Sequence, residues 1–131
     1  MTIRRSYCLL LLLVFAFSMP RLASASVVFI SIDDNGRDFT LDRGDALEIS
    51  LPATSGTGYT WQAQPVAGAL VKQVGEPAFA LDSAMPGASG HQVFHFTIDA
   101  SGTGALEIQY LRPWEKAAKP AKVFKIMLIV R

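Results

Sequence analysis

The sequence predicts an all-β chain: an immunoglobulin-like β-sandwich of about seven to eight strands, preceded by a signal peptide. Three observations carry that reading. Apolar residues recur with period two in several short runs, turn signals separate those runs, and no helical periodicity shows beyond the first 25 residues.

Residues 1–25 read as a signal peptide. Arg4 and Arg5 give a positive start, Cys8 to Phe17 an apolar run, and "ASAS" the small residues that a signal peptidase accepts, with cleavage expected after Ala25. The apolar run falls well short of the ~20 residues needed to span a bilayer. Residues 26–131 are then one domain of about 106 residues with one core. Losing Arg4, Arg5 and Arg21 takes 12 Lys+Arg against 11 Asp+Glu to 9 against 11, a formal charge of −2. Nucleic acid is a poor partner for such a chain, because phosphate binding needs clustered positive charge. Cys8 is the sole cysteine and leaves with the leader, so no disulfide, cysteine–zinc site or thiol nucleophile is expected.

The strands follow in order. "VVFISI" (27–32) is apolar throughout, and Asn35-Gly36 after it signals a tight turn. "ALEISL" (46–51) alternates, with Leu47, Ile49 and Leu51 on one face. Tyr59, Thr60 and Trp61 open the next strand, and "ALVKQV" (69–74) is a short further one. Residues 75–90, rich in Gly and Pro, read mostly as loop. "HQVFHFTI" (91–98) puts Phe94, Phe96 and Ile98 together. "GALEIQYL" (104–111) does so with Leu106, Ile108 and Tyr110, and "KVFKIMLIV" (122–130) with Phe124, Ile126, Leu128 and Val130. Counting reversals, the loops after Leu51, before His91 and after Tyr110 fall at one end of a sandwich, where recognition sites sit.

Little here can do chemistry. His91 and His95 share a strand face but lie roughly 13 Å apart at ~3.3 Å per residue, too far to hold one metal ion. A Ser55, His91 and Asp82 set has no nucleophile-elbow pattern around it. An enzyme is therefore not expected, and neither is a metal or other cofactor.

Three loops are richer than plain connectors need. In "TSGTGY", Gly56 and Gly58 allow positive φ and close backbone approach, while Thr54, Ser55 and Thr57 add small hydroxyls above Tyr59. "MPGASGH" holds Pro86 and the run Gly87, Ala88, Ser89 and Gly90. "YLRPWEK" places Arg112, Pro113 and Trp114 directly after a strand. Trp and Arg are common binding hot spots. Taken singly, each loop also fits a plain role: a flexible hairpin, an irregular connector, or a Trp114 folded over the core edge with Arg112 stacked on it.

In these three loops the chain resembles the chagasin family, inhibitors of papain-like cysteine peptidases. That family carries an Asn-Pro-Thr-Thr-Gly-(Phe/Tyr) loop, a Gly-rich loop and an Arg-Pro-(Trp/Phe) loop in this order. "RPW" is intact as Arg112, Pro113 and Trp114, and Gly87 to Gly90 match the second loop. The first motif keeps Thr57, Gly58 and Tyr59, but Thr54, Ser55 and Gly56 stand where the family has Asn, Pro and Thr. Losing that proline leaves the free loop less preorganised. The resemblance spans about Leu47 to Val130 and implies an exported, monomeric, reversible competitive inhibitor. It would need no cofactor and would plug a papain-like active-site cleft with Thr54 to Tyr59, Gly87 to Gly90 and Arg112 to Trp114. The periplasm or the medium would be its address. The alternative is a non-inhibitory immunoglobulin-like structural or adhesive module that binds through a strand edge.

Overall fold

Alternation in the sequence becomes two facing sheets in the computed structural model, which describes residues 24–54, 56–116 and 118–131. Of the expected leader, only Ser24 and Ala25 lie among these residues. The strands are β1 (Val27–Ser31), β2 (Asp38–Leu41), β3 (Ala46–Thr54), β4 (Thr60–Ala63), β5 (Val71–Gln73), β6 (Ala78–Leu81), β7 (Ser89–Ile98), β8 (Gly102–Leu111) and β9 (Lys122–Val130). One sheet runs β1-β3-β7-β5, with β6 also on β7, and the other runs β2-β9-β8-β4. The first strand region switches sheets: β1 lies parallel to β3, a 3-10 turn at Ile32–Asp34 reverses the path, and β2 lies parallel to β9.

Every core face expected from the alternation is buried. Leu47, Ile49 and Leu51 of β3 and Phe94, Phe96 and Ile98 of β7 meet Leu106, Ile108 and Tyr110 of β8 and Phe124, Ile126, Leu128 and Val130 of β9. Burying large apolar side chains stabilises by about 1.5–3 kcal/mol each, so this layer dominates the folding energy. Pro52 sits within β3 without damage. Its carbonyl accepts the Trp61 indole N–H at 2.9 Å, so its backbone faces away from β7. On that side β1 has already ended opposite Ser50, so no ladder bond is lost.

The structure adds two short strands that the sequence reading lacked. Residues 75–90 are mostly loop, as expected, but Ala78–Leu81 within them pairs with β7 as β6. All four of its residues are exposed, so no buried face imposes an alternating pattern. The turn after Asn35-Gly36 leads into β2, which the sequence reading did not contain. Nine strands result, against seven to eight expected.

The topology gives the sandwich two unlike ends. At one end β3 and β6 stop while β7 starts, with Thr54 opposite Ser89 and Leu81 opposite Gly90. At this same end β4 begins opposite the end of β8, Thr60 against Leu111, and β9 begins at Lys122 opposite Tyr110. The other end carries Asp45, the one buried charged residue among those described, at 8% exposure. Its carboxylate accepts the Asp42 N–H at 2.9 Å and the Ser26 N–H and hydroxyl at 3.2 Å each. Those bonds, the Asp42 amide first and the Ser26 amide next, hold the Asp45 carboxyl below its ordinary range against the opposing effect of burial.

A depressed carboxylate stabilises the fold above its unfolded pKa, about 3.9, and the contribution is lost as pH falls through the folded value. Urea unfolding between pH 7 and pH 2 should therefore show a loss of stability below about pH 4 that shrinks in Asp45→Asn. Equal losses in both proteins would contradict this role.

Candidate functional site

Three loops meet at the end where β7 begins. The first joins β3 to β4, the second joins β6 to β7, and the third joins β8 to β9. Gly56 and Gly58 take φ of 82° and 80° in the first loop, a left-handed backbone that other residues adopt only under strain. Thr57 holds this loop from inside. Its hydroxyl donates to the Thr54 carbonyl at 3.0 Å and accepts the Tyr59 N–H at 3.3 Å. This tie acts on the conformational freedom that the missing proline leaves open.

Arg112 joins the third loop to the first. Its Nε donates to the Thr57 carbonyl at 3.2 Å, its guanidinium lies 4.4 Å from the Tyr59 ring centroid, and its Nη1 pairs with Glu115 at 3.2 Å. Arg112 thus stacks on Tyr59, not on Trp114. Freed from that role, Trp114 stands 66% exposed with its indole covering Gly58. A Cβ at Gly58 would lie 2.9 Å from Trp114 Cζ2, so only glycine lets the ring settle there. Below, Tyr59 stacks on Tyr110 at 5.3 Å, and Tyr110 meets Trp61 at 4.8 Å. An aromatic column thus runs from the loop surface into the core.

The second loop closes through the Asp82 N–H to Ser89 carbonyl bond at 2.9 Å and a turn from Met85 to Ala88. Gly87 and Ala88 lie in this loop, but Ser89 and Gly90 are already the first residues of β7. Gly90 is buried. A Cβ there would strike the Ala80 carbonyl and the Phe79 ring, so the β6–β7 packing itself requires this glycine. Thr54 likewise ends β3, Gly56 to Tyr59 and Arg112 to Trp114 are loop residues, and Ser55 lies outside the described residues.

Gln92 was missed by sequence reasoning. Its side chain accepts the Trp61 N–H at 2.9 Å and donates to the Trp61 carbonyl at 3.0 Å, while Thr60 donates to the same amide oxygen. It acts as a one-residue strand that pairs the free edge of β4 and joins the two sheets beneath the loops. Its signal was positional, because it shares parity with Phe94, Phe96 and Ile98 on the core face.

His91 Nδ1 lies 2.9 Å from Asp82 and His95 Nδ1 3.9 Å from Glu48, all four side chains partly exposed. No group of three or more His, Cys, Asp or Glu among the described residues could hold a metal ion. The loop tips offer backbone, small hydroxyls and one indole.

Comparisons with known proteins agree with one another. The family model described as "Chagasin family peptidase inhibitor I42" matches residues 40–128. Chagasin of Trypanosoma cruzi is 32% identical over 101 residues, covering 72% of this chain and 89% of its own length. Among solved structures, the cysteine protease inhibitor EhICP2 from Entamoeba histolytica superimposes with a TM-score of 0.72 at 17% identity, over 82% of this chain and 98% of its own. Amebosin does so at 0.63 and 23% identity, with the same coverage. PbICP-C, solved in complex with falcipain-2, gives 0.54 at 17% identity, over 82% of this chain and 93% of its own. At these identities the superpositions show a common fold.

The Gln92 clamp makes a direct prediction. Gln92→Ala strips the Trp61 backbone of both partners and should lower stability by about 1–3 kcal/mol in urea unfolding. An unchanged midpoint would mean that water replaces the amide at no cost.

Proposed function

The chain belongs to the chagasin family of peptidase inhibitors, and from that premise we propose that it is a reversible, competitive inhibitor of papain-like cysteine peptidases. The family is one of inhibitors and not of enzymes. The three loops at the β7 end form the plug, and the protein is exported by its leader and acts as a monomer in the periplasm or the medium.

One observation carries the reading: Trp114 is solvent-exposed yet packed on Gly58. The indole rests on Gly58, and the adjoining Arg112 is tied to Thr57 and Tyr59. A large apolar ring that already rests on a neighbouring loop has less freedom to lose when a partner arrives, which lowers the ordering cost of association. Aromatic anchors of this kind supply much of the energy of protein interfaces.

The first loop suits the centre of a cleft. It is narrow, carries no charge from Thr54 to Tyr59, and presents backbone at its tip. Peptidase clefts hold substrates as extended strands. Positive φ at Gly56 and Gly58, closed by the Thr57 hydroxyl, bends the loop out of that shape. The loop then occupies the cleft without offering a peptide bond in cleavable register. Thr57 and Gly58 would lie nearest the catalytic cysteine, with Trp114 on one flank and Gly87 to Ser89 on the other. Lacking a reactive group, the plug binds without covalent chemistry. An interface of ~1,600 Å² is usual for such recognition and within reach of three loops.

Inhibition titrations against papain and cathepsin L test the reading. Trp114→Ala should weaken inhibition by about 2 kcal/mol or more, roughly 30-fold in Ki. Thr57→Val keeps the shape but removes the hydroxyl and should cost about 1 kcal/mol of affinity, with the sandwich core intact. A purified domain that leaves both enzymes fully active at micromolar concentration would overturn the proposal.

A further inference from the structure

Asp45 is a buried acid that the inhibitory reading does not use. It lies at the end of the sandwich opposite the plug, where β3 begins opposite Thr97 of β7. Oδ1 takes both the N–H and the hydroxyl of Ser26, and Oδ2 takes the Asp42 N–H. Ser26 is itself held in place, because its carbonyl accepts the Ala46 N–H at 2.9 Å. Immediately upstream, Ser24 and Ala25 are exposed and belong to no strand. The Ala25–Ser26 peptide bond is thus accessible and flanked by small residues, while the atom that would carry a new charge already touches a buried carboxylate.

We propose that the Ala25–Ser26 bond is a processing site and that Asp45 is the receptor for the α-ammonium that cleavage leaves on Ser26. In the cut, water adds to the Ala25 carbonyl carbon and the C–N bond breaks. Ala25 departs as a carboxylate, and the Ser26 nitrogen takes up the proton to become an ammonium. A neutral N–H donor to Asp45 is replaced by a charged one at the same position. Charge-assisted hydrogen bonds are roughly twice as strong as neutral ones. Burial of the acceptor, at 8% exposure, limits screening by salt.

The other charged groups at this end do not compete for the place. Asp42 lends its backbone N–H to Asp45, while its own carboxylate pairs with Arg131 at 3.2 Å. Arg131 adds a positive field that favours the ionised form of Asp45. Removing the leader would complete the fold at one end and leave the plug at the other untouched. The inference does not depend on the inhibitory reading.

An α-amino group titrates near about pH 8 in an unfolded chain, and a carboxylate partner raises that value in the folded one. The added stability is therefore full below about pH 8 and disappears as pH rises through the folded value.

The test uses the full chain, expressed in an exporting bacterium, with the N-terminus of the product read by intact mass. Its urea unfolding is compared at pH 6.5 and pH 10 with that of a chain beginning at Ser24, which keeps the Ser26 amide. The exported product should begin at Ser26. Its unfolding constant should be about tenfold smaller than that of the Ser24 chain at pH 6.5, and the two should agree at pH 10. Asp45→Asn should abolish the difference at pH 6.5; should that variant fail to fold, the two-chain comparison at two pH values decides alone. A product that begins at another residue, or a Ser26 chain no more stable than the Ser24 chain at pH 6.5, overturns the proposal.

Discussion

The guanidinium of Arg112, stacked on Tyr59 and bonded to the Thr57 carbonyl, is the constraint on which the joining of the first and third loops depends. It couples two loops that are more than fifty residues apart in sequence, and through Tyr59 and Tyr110 it anchors both to the buried Trp61. A cation over an aromatic face contributes about 0.5–1 kcal/mol at an exposed site. Its structural effect exceeds that figure, because the same side chain sets where Trp114 can lie. With Arg112 turned to Tyr59, the indole of Trp114 is left to cover Gly58 and face outward.

Below this constraint the sandwich supplies stiffness. β3 and β7 pair over nine residues, and β8 and β9 over nine, so the loops grow from the ends of long, fully paired strands. The weak point of such a framework is the short edge strand β4, which pairs only with β8. Gln92 closes that edge with its own amide, and Trp61 pins it further by donating to the Pro52 carbonyl. Gln92, just beneath the loops, therefore acts as a strut between the sheets. Asp45 performs a similar task at the far end, where it gathers the start of β3, the preceding turn and Ser26.

Much of this could be seen in the residues beforehand. Alternation marks a buried face, so β3, β7, β8 and β9 were legible wherever Leu, Ile or Phe fell at every second position. The shared pole of the three loops followed from counting reversals. β2 and β6 were not legible. They have four residues each, and β6 has no buried side chain, so period two had nothing to act on. Within the site, Trp114 stood out from composition and is exposed, but the partner of Arg112 was not readable, since Tyr59 meets it only through tertiary folding. The packing need at Gly90 was hidden for a related reason: a glycine that relieves crowding under Phe79 has the same letter as one that serves a loop.

The central claim is that this end of the sandwich, and no strand edge, meets the peptidase. Amide hydrogen exchange, with and without a papain-like peptidase whose catalytic cysteine has been replaced, tests it most directly. The account predicts slowed exchange within residues 56–59, 82–89 and 112–116, with the edges of β2 and β5 unchanged. Protection running along a strand edge while those three segments exchange as freely as before would contradict it.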